Sequence, residues 1–372
     1  MKISIDARGI NLYKGTGIGT YTENLTRELL NIDKENDYTL FWNGKNYDSF
    51  KQSNSKIIFS SNRHGAFYEN FYVPSYIEKN NIDLHHIPQN GIGLTESYSS
   101  KSIVTIHDLI PYTLPETVGR RYLENFLKEM PKILNKTRGI LTVSEYSKRD
   151  ILKFFHGYPA ENIFVTPLAA NSNFRPLDKN ICLEFVKEKL NIKSPYILYI
   201  GGFSARKNVR ELILAFQKIN LSLKKPYTLV LGGSVKDEGK KLVSLVESLN
   251  LQNNIIFTGY LDDDILPILY NGAEAFVYPS LYEGFGLPPL EAMSCQTAVI
   301  TSNLTSIPEV TSDAAILIDP FNSEELSSKL FKLLDDDDFR YELASKGYKR
   351  SLDFSWKKTA EKTLEAYNSL LY

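Results

Sequence analysis

The stretch Tyr282-Glu283-Gly284-Phe285-Gly286-Leu287-Pro288-Pro289-Leu290-Glu291-Ala292-Met293 follows an apolar run, 275–279, that reads as a buried parallel strand. Gly284 and Gly286 let the backbone approach a partner closely. Pro288 and Pro289 fit a first helical turn, where a missing N–H costs little. The spacing predicts a ligand loop opening a helix. Amides near such a start face whatever binds there, which suits oxygen-rich or anionic ligands. Glu283 lies in the loop and Glu291 about one turn into the helix, so the two carboxylates address two regions of one elongated ligand. A sugar nucleotide, with hydroxyls at both ends, has that form. Taken alone, Glu-Gly-Phe-Gly also fits an ordinary strand-to-helix turn.

Outward from this stretch the same alternation continues. Strands are expected at 196–200, 228–231, 255–258, 275–278, 298–301 and 316–318, with helices between them. Near the N-terminus, Ile3 and Ile5 give a short strand, a loop from Ala7 holds Gly9, Gly15, Gly17 and Gly19, and Tyr21, Leu25 and Leu29 recur at helical spacing. Further strands are expected at 38–42, 56–60, 84–87, 103–106, 140–143 and 163–167, and helices near 68–79, 120–136 and 145–155. Apolar strands alternating with helices imply parallel sheets covered on both faces. The stretch 169–180, with Asn171, Asn173 and Pro176, reads as an interdomain linker. The expected fold is therefore α/β: two Rossmann-like, doubly wound parallel-sheet domains, 1–172 and 173–354, facing one another across a cleft, where small-molecule sites concentrate.

A chain of 372 residues suffices for two such domains with a core in each, and 42% hydrophobic with 23% charged residues suits a soluble globular protein. Lys and Arg number 43 against 44 Asp and Glu, a net charge of -1, so no global field attracts nucleic acid or membrane. Cys182 and Cys295 are too few for a disulfide framework and favour a reducing compartment. Residues 1–8 are charged within their first apolar stretch and hold no signal-peptide core, and no apolar run reaches the ~18 residues of a membrane span. A cytoplasmic protein is expected.

The whole string 282–293 resembles the paired-glutamate signature of retaining glycosyltransferase family 4, enzymes of the GT-B architecture. The resemblance covers nearly all the chain and implies that residues 355–372 form a last helix crossing back to the first domain. It further implies that Glu283 hydrogen-bonds the transferred sugar's hydroxyls, aided by amides near Phe285, Gly286 and Leu287, and that Glu291 holds the ribose. Gly201-Gly202-Phe203-Ser204-Ala205-Arg206-Lys207-Asn208 follows a strand, and Asn208 with Glu211 makes a plausible helix cap. Adjacent cations are usually just solvated. At this place Arg206 and Lys207 match the family's cationic pair and suit a diphosphate that gains charge as it leaves, with Gly202 and Ser204 beside them. By the same resemblance Gly259, Tyr260 and Leu261 line the base, and the Gly15, Gly17 and Gly19 loop approaches donor phosphates and acceptor.

Thr105-Ile106-His107-Asp108-Leu109-Ile110-Pro111 places His107 and Asp108 at a strand's carboxyl end, where open α/β sheets bind ligands, and resembles the family's first-domain histidine segment. The resemblance implies front-face transfer: the leaving phosphate oxygen takes the acceptor's proton while His107 contacts the sugar. A carboxylate nucleophile would also give retention. Asp262-Asp263-Asp264 and Asp335–Asp338 read as helix junctions rather than metal ligands, since acidic residues favour a helix start. Arg206 and Lys207 then supply the charge a metal otherwise would. No metal and no cofactor are expected. Thr305-Ser306-Ile307-Pro308-Glu309 resembles a segment behind the donor site, whereas Gln296 stands where the family's pattern has glycine.

Asp6-Ala7-Arg8-Gly9 and Thr16-Gly17-Ile18-Gly19-Thr20-Tyr21-Thr22-Glu23-Asn24-Leu25 look most like bacterial mannosyltransferases of surface-polysaccharide, O-antigen and lipopolysaccharide assembly. The expectation is a metal-independent hexosyltransferase with GDP-mannose as donor, or a UDP-hexose in its place, and a glycan or lipid-linked acceptor. Other classes remain open. A nucleotide-sugar 2-epimerase shares the architecture and needs no acceptor, a non-catalytic binder needs neither His107 nor the cationic pair, and a phosphorylase needs a lysine-bound pyridoxal phosphate. Lys128, Lys132 and Lys136, near Arg120, Arg121 and Arg138, form either a solvated stripe or a patch for anionic lipid, with Pro131 expected to kink or restart the helix.

Overall fold

Apolar runs rich in Ile, Val, Leu and Tyr form thirteen strands, and every pairing between them is parallel among the residues described by this computed structural model, 1–60, 64–94, 101–192 and 195–371. Parallel strands need crossovers, and helices supply them. The chain divides into two compact units, Met1–Ala169 with Ser355–Tyr372, and Ala170–Phe354.

The first unit holds β1 (Lys2–Asp6), β2 (Asp37–Trp42), β3 (Ser55–Phe59), β4 (Leu84–Ile87), β5 (Ser102–Ile106), β6 (Gly139–Thr142) and β7 (Ile163–Val165), in the order β3-β2-β1-β4-β5-β6-β7. The order reverses between β1 and β4, so that unit's ligand crevice is expected beyond their carboxyl ends. The helix Gly17–Ile32 buries Tyr21, Leu25 and Leu29, and Thr16 caps it by accepting from the Gly19 amide. A Cβ on Gly19 would lie 2.3 Å from the Tyr13 carbonyl oxygen, so only glycine fits there. The helix Trp356–Leu371 belongs to this unit: the Tyr367 hydroxyl shares a 2.7 Å hydrogen bond with His86 Nδ1, and Thr359 donates to the Pro167 carbonyl.

The second unit holds β8 (Tyr196–Ile200), β9 (Thr228–Gly232), β10 (Ile255–Gly259), β11 (Ala275–Tyr278), β12 (Val299–Ser302) and β13 (Ile316–Ile318), in the order β10-β9-β8-β11-β12-β13. Its order reverses between β8 and β11. The loops leaving those two strands carry Arg206, Lys207 and Glu283. Cys182 and Cys295 are buried thiols in this unit. Asp336 caps the helix Asp337–Ser351 by accepting from the Phe339 amide, so the fourfold aspartate run is a helix junction.

Two local expectations are corrected. The helix Arg120–Lys136 does not restart at Pro131 but continues through it. Its face of Phe126, Met130, Ile133 and Leu134 is buried, while Pro131 and Leu127, whose carbonyl loses a donor, are exposed to water. Asn208 makes no side-chain cap. It sits in the left-handed region at φ 56, and its amide donates to the Pro320 carbonyl at 2.8 Å. Among the described residues, no helix is long and apolar enough to cross a membrane.

Candidate functional site

The three residues Arg206, Lys207 and Glu283 meet at a single carboxylate oxygen. Arg206 Nη1 donates to Glu283 Oε1 at 2.8 Å and also to the Tyr282 carbonyl, and Lys207 Nζ donates to the same Oε1 at 2.6 Å and to the Tyr278 hydroxyl. The Tyr278 hydroxyl in turn donates to Oε1 at 3.0 Å, and Ser280 Oγ donates at 2.5 Å. The loop after β8 supplies the cations, and β11 with its following turn supplies the rest.

All three charged side chains are about 13–14% exposed. Burial opposes ionisation of Glu283, but the charges of Lys207 and Arg206 and the bonds from Lys207 and Ser280 outweigh it and hold the carboxyl at about 2. Two cations thus converge on one carboxylate oxygen beside a glycine loop, a natural counterpart for an anionic oxygen cluster.

The loop behind is held from the other side. The Glu283 amide donates to Thr305 Oγ1 at 3.1 Å, and Ser306 Oγ lies 2.8 Å from the Glu283 carbonyl and 2.7 Å from that of Phe285. Gly286 precedes the helix Leu287–Ser294 at φ 127, and a Cβ there would come within 2.8 Å of Ile307 Cδ1. Pro288 and Pro289 carry no N–H, so the amides this helix start can offer belong to Phe285, Gly286 and Leu287. The Phe285 ring is buried, edge-on to Phe354.

Glu291 occupies its own half-buried place on that helix, where the Tyr270 hydroxyl donates to Oε2 at 3.1 Å. Burial pushes its carboxyl up to about 7. The Tyr270 bond pulls it down, and Asp263 adds to the rise. One loop-helix piece thus carries a firmly ionised carboxylate and one that titrates near neutrality. Gly202 accepts from the Tyr199 hydroxyl at 2.6 Å, and the Ser204 carbonyl accepts from the Lys207 amide at 2.9 Å. Gly259, at φ 74, accepts from the Gly233 amide, and beyond it Leu261 is half-buried and Tyr260 exposed.

In the first unit, His107 is buried. Its amide donates to Asn90 Oδ1 at 2.9 Å, and ring Nε2 lies 2.8 Å from the Pro88 carbonyl, an acceptor only, so Nε2 carries the proton and Nδ1 is the open acceptor. Burial lowers its pKa to about 4, and the Pro88 bond only partly offsets this, so the ring is neutral. Asp108 Oδ1 accepts from the Ile110 amide at 3.1 Å. Gly15 adopts φ 76, and Gly17 opens the helix that Gly19 joins.

The turn Pro88–Asn90 also holds a cluster to which the sequence assigned no role. Gln89 donates to Asp6 Oδ2 at 2.7 Å, Asp6 binds Arg8 through both oxygens, and Arg8 reaches Glu69 at 3.1 Å. Tyr278 and Ser280 were missed as well, although both lie just upstream of the glutamate loop.

Residues 183–350 match the family described as glycosyl transferases group 1, and residues 15–173 match glycosyltransferase family 4. The chain is 34% identical over 379 aligned positions to O-antigen chain mannosyltransferase B of Escherichia coli, covering 96% of this chain and 97% of that one. The serotype-specific mannosyltransferase WbdA of the same organism is 31% identical over 73% of this chain and 34% of its own length. HepE of Anabaena, solved in complex with UDP-glucose, superposes with a TM-score of 0.77 at 15% identity over 99% of both chains. Similarity running from end to end of a relative, on two parallel-sheet units of shared architecture, places the chain in glycosyltransferase family 4, the GT-B hexosyltransferases.

Proposed function

We propose that the chain transfers mannose from GDP-mannose to a glycan or lipid-linked acceptor in cell-surface polysaccharide assembly, with retention at the anomeric carbon and without a metal. The observation that carries this reading is the cluster at Glu283 Oε1, where Arg206 and Lys207 converge at the end of a glycine loop. A nucleoside diphosphate leaving group gains negative charge as its bond to the sugar breaks, and Arg206 with Lys207 meets that charge where a metal otherwise would. The similarity to O-antigen mannosyltransferase B supports the sugar and the pathway class.

In the reading we favour, the bond from the anomeric carbon to the phosphate oxygen breaks. The acceptor oxygen bonds to that carbon on the same face, and its proton passes to the departing phosphate oxygen. Glu283 accepts hydrogen bonds from the sugar's hydroxyls, Glu291 from the ribose, and the neutral His107 offers Nδ1 to the transferred sugar. A peripheral membrane contact belongs to the same reading. The helix Arg120–Lys136 bears Arg120, Arg121 and Lys128 around a surface depression with Tyr122, although Arg120 pairs with Glu124, and Lys132 with Glu129, within the helix.

A calorimetric and thermal-shift screen against GDP, UDP, GDP-mannose and UDP-glucose, with and without chelator, tests the donor. Selective stabilisation by GDP and GDP-mannose that survives chelator is expected. Selective binding of UDP and UDP-glucose would replace the donor with a UDP-hexose, and binding that chelator abolishes would end the metal-free reading.

A further inference from the structure

Glu283 Oε1 gathers two kinds of donor. The cations Arg206 and Lys207 reach it on long arms from the loop after β8. The hydroxyls of Tyr278 and Ser280 reach it on short, fixed arms from the end of β11. The Tyr278 ring is fully buried and stacked between Tyr199, at 5.8 Å and 17°, and Phe276, at 5.9 Å and 19°, with Lys207 Nζ 4.9 Å from its centroid. Burial, with Glu283 and Tyr199 nearby, raises the phenol's pKa well above its ordinary value, so the hydroxyl stays neutral and keeps its proton to donate.

On the reading proposed above, a bound diphosphate draws both cations. Each N–H turned toward phosphate weakens the hold on Oε1. A buried carboxylate stripped of its cations is driven to take up a proton, and a protonated Glu283 no longer accepts sugar hydroxyls through both oxygens. We infer that Tyr278, with Ser280 beside it, is a positioning residue that keeps Glu283 fixed and ionised while the donor's diphosphate engages Arg206 and Lys207. The inference rests on the role given to Glu283. The titratable groups facing that carboxylate are Arg206, Lys207, Tyr278 and Tyr199, and Thr305 and Ser306 meet its backbone with hydroxyls alone.

The test measures release of nucleoside diphosphate from GDP-mannose and from UDP-glucose by the full chain, between pH 4.5 and 8.5, for wild type, Tyr278→Phe, Ser280→Ala and Glu283→Gln. The hydroxyl variants remove only a donor, so donor KM should stay within about twofold, while kcat at pH 7 falls about tenfold. With donor saturating, the diphosphate has drawn off the cations that hold the free carboxyl low, and losing a further donor raises its pKa, so the acid limb of the kcat profile should move up by about one pH unit in Tyr278→Phe and in the same direction in Ser280→Ala. A merely structural role would lower melting temperature without moving that limb. Turnover lost in Glu283→Gln, with limbs in both hydroxyl variants superimposed on wild type, overturns the inference alone. Turnover retained in Glu283→Gln overturns the role of Glu283 and the inference with it.

Discussion

Glu283 and Glu291 lie eight residues apart in the sequence and carry opposite electrostatics, because one sits among cations and the other is desolvated beside the Tyr270 hydroxyl and the Asp263 carboxylate. Removing Glu283 leaves Arg206 and Lys207 buried without their shared partner. Glu283→Ala should therefore destabilise the ligand-free protein by about 3 kcal/mol in denaturant titration. The same change should stop turnover while nucleoside diphosphate binds at least as tightly as to wild type, measured calorimetrically, since both cations remain and no longer share Glu283.

Glu291 gives the opposite sign. Its folded pKa is raised from 4.5 to about 7, so its contribution to ligand-free stability is full below 4.5 and lost as the pH climbs to about 7. On the role proposed for Glu291, the ionised form accepts from the ribose, so nucleotide affinity should grow about tenfold between pH 6 and pH 8. Glu291→Gln should bind weakly and flatten that dependence. The charged residues of this site were legible because the whole strings that carry them resemble a known family, whereas the bare cation pair and glutamate spacing look ordinary. Tyr278 and Ser280 were not: a tyrosine closing an apolar strand, and a serine after a proline, look like sheet and turn until the fold turns their hydroxyls onto Glu283.

Elements were legible almost to their ends, because buried parallel strands are continuous apolar runs bounded by polar turns: 84–87, 196–200, 275–278 and 316–318 form strands over those residues. Where the reading failed, burial or backbone geometry overrode local preference. Pro131 is carried inside a helix by the apolar face around it, and Asn208 spends its amide on Pro320 instead of on its own helix. Gln296 holds φ 56 where the family's pattern has glycine, so a side chain tolerates the left-handed turn there. Gly286 allows no such tolerance. Its φ of 127 and the closeness of Ile307 Cδ1 predict that Gly286→Ala displaces the start of the helix Leu287–Ser294, costing about 1–3 kcal/mol in thermal unfolding. Nucleotide affinity should drop along with it, because the amides at that start and Glu291 move together.

At the scale of the whole molecule, two sheets with separate cores predict two unfolding transitions in calorimetry, of which nucleotide should raise the one belonging to residues 170–354. Truncation after Phe354 removes Trp356 and Tyr367 from the first unit and leaves His86 Nδ1 without the Tyr367 hydroxyl, while Nε2 keeps Thr105. The lower transition should then belong to the first unit and fall steeply, while the nucleotide-sensitive one stays within a few degrees. A single transition abolished by the truncation would contradict this independence.

The chain leaves its first unit at Ala169 and returns to it only at Ser355. Synthesis runs from the N-terminus, so the ribosome completes all seven strands of the first sheet long before the helix that covers them exists. At roughly 5–20 residues per second, the interval spent making 170–354 lasts on the order of ten seconds or more. Throughout it, the apolar face of the helix Gly17–Ile32 and the imidazole of His86 wait uncovered on the nascent polypeptide. The second unit, by contrast, emerges whole and in sequence. Vectorial synthesis therefore makes the early half of this enzyme the late one to mature, and makes it the half on which a cotranslational chaperone has the most time to act.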